Sequence, residues 1–238
     1  MAGEAPALRI ALFRAGEDAA GSAAALARRG LAAALAPVLE FGATGAPPPP
    51  GPFDFVVATS ARALDFAPTA ALRGLPLHVV GERTAAAARR VGFARVGSPA
   101  ADVAALAPTL PPGRVLYLAG RDRKPALELA LGGRIATWVV YEARARAGWD
   151  AAEAAAVATA AAALHYSRRS AELAAVCAER AGIAAAFRGL PQVCLSRDVA
   201  GPFAARGFPH VYWPSRPERA LLLDVLETAL ADRGLIGA

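Results

Sequence analysis

Apolar positions along the chain fall into two periods. Largely apolar runs at 8–13, 53–58, 77–80, 114–119, 135–143, 162–165, 193–195 and 210–212 read as strands buried on both faces. Between them, apolar residues recur three and four apart. That spacing predicts helices over 19–29, 82–91, 151–159, 169–181, 199–206 and 218–233, and one running from the polar turn GRDRK through Leu131. Gly30 and Gly92 follow two of these helices, where a left-handed closing residue is wanted. A further strand-like run reaches Phe41 and ends in the loop GATGAPPPPG. A short helix is expected after Thr59 and Ser60. Strands separated by helices imply the α/β class, with parallel sheets covered by helices on both faces.

Two segments match without a gap. PLHVVGERTAAAARRVGFARV starts at Pro76 and PQVCLSRDVAGPFAARGFPHV at Pro191, with Pro76/Pro191, Ala85/Ala200, Gly92/Gly207, Phe93/Phe208 and Val96/Val211 in register. Upstream of each, an apolar strand ends in a hydroxyl-bearing turn, ATS at 58–60 and HYS at 165–167. This is one α/β half repeated. A third echo links LRIALFRAG at 8–16 with GRVLYLAGR at 113–121. In the middle half this unit comes last, and in the other half it comes first. Two similar parallel-sheet domains are therefore expected, one inserted in the other. The outer domain takes residues 1–36 and 146–238 and the inserted one 43–137, joined by a two-stranded antiparallel linker at 37–42 and 138–145. Such a linker would act as a hinge.

Composition narrows the chemistry. Hydrophobic residues make up 55 % and charged residues 19 % of 238, enough for a core, although much of the apolar count is alanine. The formal charge is +6, and Lys124 is the only lysine, so the excess is arginine. Arginine forks suit carboxylates and phosphates, and a basic surface suits an acidic small molecule, nucleic acid or an anionic membrane. The nucleic-acid reading lacks helix-turn-helix or zinc-finger spacing and a basic-aromatic stripe. The membrane reading lacks an uncharged run of the ~20 residues that span a bilayer. No signal segment opens the chain, so the cytoplasm is expected. Cys177 and Cys194 sit in apolar patterns and read as buried free thiols. The scattered histidines have no metal spacing, and neither dinucleotide nor P-loop fingerprints occur. No metal and no cofactor are expected.

The same elements carry a family resemblance. A strand ends in Phe13-Arg14-Ala15, Arg29-Gly30 closes a helix, and Pro37 precedes the next strand. FDFVVATSARAL follows from Phe53, VGERTAAAARRVGF from Val80, VLYLAGRDR from Val115, Val140-Tyr141 on a linker strand, and HYSRRSAEL from His165. In that order the chain resembles the uroporphyrinogen-III synthases. It departs from their pattern at LSRDVA, residues 195–200, where Ser196 replaces a glycine and Val199 a threonine, and at Ala15, where many members carry proline.

The resemblance implies a cofactor-free lyase. Its substrate would be hydroxymethylbilane, a linear tetrapyrrole bearing acetates and propionates. The terminal hydroxyl is eliminated, the last ring is inverted through a spiro intermediate, and the macrocycle closes. The same bilane closes in water without inversion, so the enzyme mainly steers. Each tenfold in product ratio needs ~1.4 kcal/mol, which positioning can supply. Carboxylates would meet strand-to-helix turns facing an interdomain cleft. The expected substrate-binding residues are Arg14, Thr59, Ser60, Thr84, Gly120, Arg121, Ser167 and Ser196. Helix capping alone would also account for Ser60, Thr84, Ser167 and Ser196, and a solvated surface for the arginines. Tyr141 is the expected catalytic group, a phenol still protonated at neutral pH and able to donate to the departing hydroxyl. A transient contact with hydroxymethylbilane synthase is implied as well. The alternative is a non-catalytic two-lobed binding or regulatory protein of the same fold.

Overall fold

A computed structural model describes residues 7–237. In chain order these form β1 (Arg9–Leu12), α1 (Gly16–Ala27), β2 (Ala32–Leu35), β3 (Leu39–Ala43), β4 (Phe55–Ala58), α2 (Ala61–Phe66), β5 (Leu77–Val79), α3 (Glu82–Arg90), α4 (Val103–Leu106), β6 (Val115–Gly120), α5 (Ala126–Leu131) and β7 (Ile135–Ala145). Then follow α6 (Ala151–Ala158), β8 (Ala162–His165), α7 (Arg168–Arg180), α8 (Ala184–Gly189), β9 (Gln192–Cys194), α9 (Arg197–Ala205), β10 (Val211–Tyr212) and α10 (Arg219–Ala231). The chain divides into two compact units. One holds the described residues up to Glu40 and from Ala145 on, and the other is Phe41–Arg144.

Each unit has its own sheet, in the orders β10-β9-β8-β1-β2 and β3-β7-β6-β4-β5. The parallel α/β class expected from the strand-helix alternation is the one observed. Both faces of each sheet are covered, which is why the strands read as continuous apolar runs. Along β1, Ile10 and Leu12 pack with residues of α1 and α10, while Ala11 and Phe13 face α7 and α9. In the other sheet Val56, Ala58, Leu116 and Leu118 pack on α2 and α3. Phe55, Val57, Val115 and Tyr117 face α4 and α5.

The repeat reappears as register. Val57 lies opposite Tyr117 and Leu164 opposite Leu12; Val56 lies opposite Leu77 and Ala163 opposite Gln192. Even the weak outer pairings agree. Gln192 pairs Val211 in β10, and its counterpart Leu77 makes an isolated bridge to Val96.

Three local features differ from the sequence expectation. The single run expected to reach Phe41 is two strands, β2 and β3, in different sheets. Pro37 stands at the break; it has no N–H to give a ladder. Backbone bonds from Thr44 N to Val140 O and from Arg146 N to Val38 O, 3.1 and 3.0 Å, pair β3 with β7 in antiparallel sense. The short helices α4 and α8 were not expected, and α1 begins at Gly16, three residues early. Both cysteines are free and buried, and burial pushes the Cys194 thiol up to about 12.

Candidate active site

In the unit Phe41–Arg144, polar groups gather where β4 and β6 end beside β7. Tyr117 Oη and Thr59 Oγ1 are 2.8 Å apart. Tyr117 is 3 % exposed, and burial, opposed by the Thr59 bond, raises its phenol above the ordinary value. Tyr141 is half-buried on β7. Its ring stacks on Phe66 at 5.9 Å and meets Phe41 edge-on at 6.3 Å. The Arg62 guanidinium lies over Phe41, 3.6 Å from the ring centre. Behind Tyr141, Glu142 accepts from Arg121 at 2.5 Å and from Arg144 at 2.6 Å. These guanidinium partners hold its carboxyl below the usual carboxylate range. The loop after β6 is tied down by Arg123, which donates to Gly120 O at 3.2 Å and pairs with Glu128 at 2.6 Å.

In the other unit the equivalent strand ends carry Arg14 and the turn Tyr166-Ser167. The Arg14 guanidinium lies 4.3 Å from the Tyr166 ring centre, donates to Ser22 Oγ at 3.3 Å and reaches Asp18 at 3.5 Å. It is held in place rather than waving in solvent. Beneath this turn, His165 sits fully buried between Phe13 and Phe203, ring centres 4.8 and 4.6 Å away.

The hydroxyls expected at strand-to-helix turns separate into three groups. Ser167 and Ser196 cap α7 and α9, accepting from Ser170 N at 3.2 Å and Val199 N at 3.4 Å. Ser60 stands at the start of α2 without a side-chain capping bond, and Thr59 is committed to Tyr117. Thr84 is 4 % exposed, and Val199, its counterpart in the repeat, is 5 % exposed. The threonine-to-valine departure at LSRDVA therefore exchanges similar volumes at a buried position and removes no surface hydroxyl. Serine for glycine is likewise local: Gly81 opens α3 at φ +78°, and Ser196 opens α9 with a side-chain cap in extended backbone.

Ser167→Ala is expected to cost about 1 kcal/mol of stability, and Ser167→Gly only a few tenths. Urea unfolding measures both. A KM that rises equally in the two variants marks the hydroxyl as a substrate contact, whereas a KM that follows stability marks it as a cap.

Tyr117, Tyr166, Glu142 and Arg62 were not singled out by sequence. Tyr117 and Tyr166 lie inside the quoted VLY and HYS elements, so their position was visible but their partners were not. Glu142 and Arg62 had no distinguishing signal. Among the described residues, no group of three or more His, Cys, Asp or Glu could hold a metal ion, and no helix is long and apolar enough to cross a membrane.

Two parallel sheets in matching register, with hydroxyls, arginines and tyrosines at the carboxyl ends of their strands, define a duplicated α/β protein. Residues 21–224 match the family model of uroporphyrinogen-III synthase HemD, and the chain belongs to that family, whose members are cyclising lyases. None of the curated proteins matches it in sequence. The chain is similar in fold to the solved uroporphyrinogen-III synthetase of Helicobacter pylori. The TM-score is 0.61 at 18 % identity, covering 93 % of this chain and 99 % of that one. A mutant uroporphyrinogen III synthase of the extremely thermophilic bacterium Thermus thermophilus superposes with a TM-score of 0.46 at 16 % identity, covering 95 % of this chain and all of that one.

Proposed function

We propose that this chain converts hydroxymethylbilane to uroporphyrinogen III, releasing water, with Tyr141 as proton donor to the departing hydroxyl. The family match over residues 21–224 supports the substrate and the reaction. The observation that carries the role of Tyr141 is its placement, half-buried on Phe66 at the end of β6. There the ring is held against Phe66 and Phe41.

The hydroxyl leaves as water only if its oxygen gains a proton as the C–O bond breaks. A positioned phenol can pass its proton to that oxygen as negative charge builds on it. The proton lost from the pyrrole carbon on ring closure restores the phenol, so the enzyme returns to its starting state. Arg14 and Arg121 meet substrate carboxylates. Each is already oriented by a neighbour, Tyr166 with Asp18 in one case and Glu142 in the other, so less side-chain freedom is lost on binding. Ser60, whose side chain makes no capping bond to α2, adds a hydroxyl next to Thr59 in the turn. The reading places the reaction in the cytoplasm, with the labile bilane received from hydroxymethylbilane synthase.

Freshly generated hydroxymethylbilane is the test. Product is oxidised and the isomers resolved by chromatography. The type III isomer is expected to dominate at a rate far above spontaneous closure. Type I product alone, formed at the uncatalysed rate, overturns the proposal.

A further inference from the structure

We infer that Gly120 is a positioning residue for Tyr141, and that its missing side chain is what lets the phenol occupy its place. The inference rests on the reading of Tyr141 as the proton donor. β6 and β7 pair evenly from Val115–Ile135 to Ala119–Val139, and then the register slips, so that Gly120 lies opposite Tyr141 rather than Val140. A slip of this kind re-aims a side chain. The Arg121 N–H fixes the new register by donating to Tyr141 O at 2.9 Å.

The ring then lies against the bare Cα of Gly120. A Cβ at that position would stand 2.6 Å from Tyr141 Cζ, 2.7 Å from Oη and 3.0 Å from Cε1. The collision is at the hydroxyl end of the ring, the end that would do chemistry. Backbone conformation does not explain the glycine, because Gly120 is absent from the residues with positive φ. Nor can the strand easily recede: Gly120 is buried, and its carbonyl accepts from Arg123. Phe66 stacks on the ring. Any side chain at 120 must push the phenol away by about 0.8 Å to reach an ordinary 3.4 Å contact. A misplacement near 1 Å can cost ~100-fold in rate. Gly120 itself is covered by the ring and so acts through Tyr141 rather than by binding substrate.

Gly120→Ala, Tyr141→Phe and the double variant test this. Gly120→Ala is expected to lower kcat for the type III isomer by about ten- to a hundredfold, with KM changed less than about twofold. In the Tyr141→Phe background the same alanine is expected to add less than about twofold, since the phenol it displaces is already absent. The ring signal of Tyr141 in ¹³C-tyrosine NMR spectra, assigned by its loss in Tyr141→Phe, is expected to move in Gly120→Ala whatever the activity. A stationary signal, or an equal cost of the alanine in both backgrounds, overturns the inference. A moved signal with Tyr141→Phe at the wild-type rate keeps the positioning role and overturns only the donor role. Should Gly120→Ala not fold, adding Tyr141→Ala removes the colliding ring and is expected to restore folding; failure of both variants also overturns it.

Discussion

Tyr141→Phe is expected to slow formation of uroporphyrinogen III by about a hundredfold, the lower end of the ~100- to 10,000-fold contributed by one general acid, while folding is retained. The substitution removes one oxygen and leaves the ring on Phe66 and Phe41, at 5.9 and 6.3 Å. Among the described residues Tyr141 Oη has no hydrogen bond to lose, so the variant separates chemistry from packing. The split between products sharpens the test. Spontaneous closure gives the type I isomer at a rate the mutation cannot touch, so the III-to-I ratio should fall together with the rate. A leaving group with less need of a proton should recover much of the loss if the phenol acts as an acid. Rate and ratio both at wild-type values would remove Tyr141 from the mechanism.

Tyr117 supplies an internal comparison. Its phenol is bonded to Thr59 and buried, and its pKa is raised further by that burial. It is a phenol on the neighbouring strand β6, but it is committed to a partner. The two tyrosines differ in surroundings rather than in kind, which is the difference the proposed donor role of Tyr141 rests on.

The fold was legible wherever a residue's neighbours were set by short-range pattern. β1 and β6 read as strands because Ile10, Leu12, Val115 and Tyr117 face one helical layer and Ala11, Phe13, Leu116 and Leu118 the other. The repeat was legible because packed and paired positions tolerate few residue types: Ala85 and Ala200 are both buried, and Val96 and Val211 kept equivalent partners, Leu77 and Gln192. The helices α4 and α8 were not legible: four and six residues carry too little periodicity in an alanine-rich chain. At the site, strand-end positions could be named but partners could not. Thr59 meets Tyr117 only because β4 pairs with β6 at Val57–Tyr117, and Gly120 meets Tyr141 only because the β6–β7 register slips by one residue. Both facts belong to the assembled sheet.

Acid should destabilise the protein by an amount traceable to one side chain. His165 is fully buried among Phe13, Phe187 and Phe203. Its Nε2 faces Gln192 Oε1 at 2.8 Å, while the Gln192 amide donates to Phe187 O and Leu190 O. The amide oxygen therefore accepts, His165 carries its proton on Nε2, and Nδ1 is buried without a partner. A second proton would place a charge in an aromatic core. Burial, partly opposed by the Gln192 bond, lowers the pKa from 6.5 to about 4. In the unfolded chain the imidazole takes up its proton below pH ~6.5; in the folded chain it does so only below about 4. Between these values the unfolded state binds more protons, so stability falls as pH falls and nothing is lost above pH ~7. At ~1.4 kcal/mol per pH unit the full effect is about 3 kcal/mol, reached near pH 4. His165→Phe suits the aromatic surroundings but leaves the Gln192 oxygen unpaired, which costs about 1–3 kcal/mol at pH 7. Its stability should nonetheless decline less by about 3 kcal/mol than wild type between pH 6.5 and 4, because both proteins share every other titrating group. Urea unfolding across that window measures the difference, and parallel curves for the two proteins would show that His165 takes no part in the acid response.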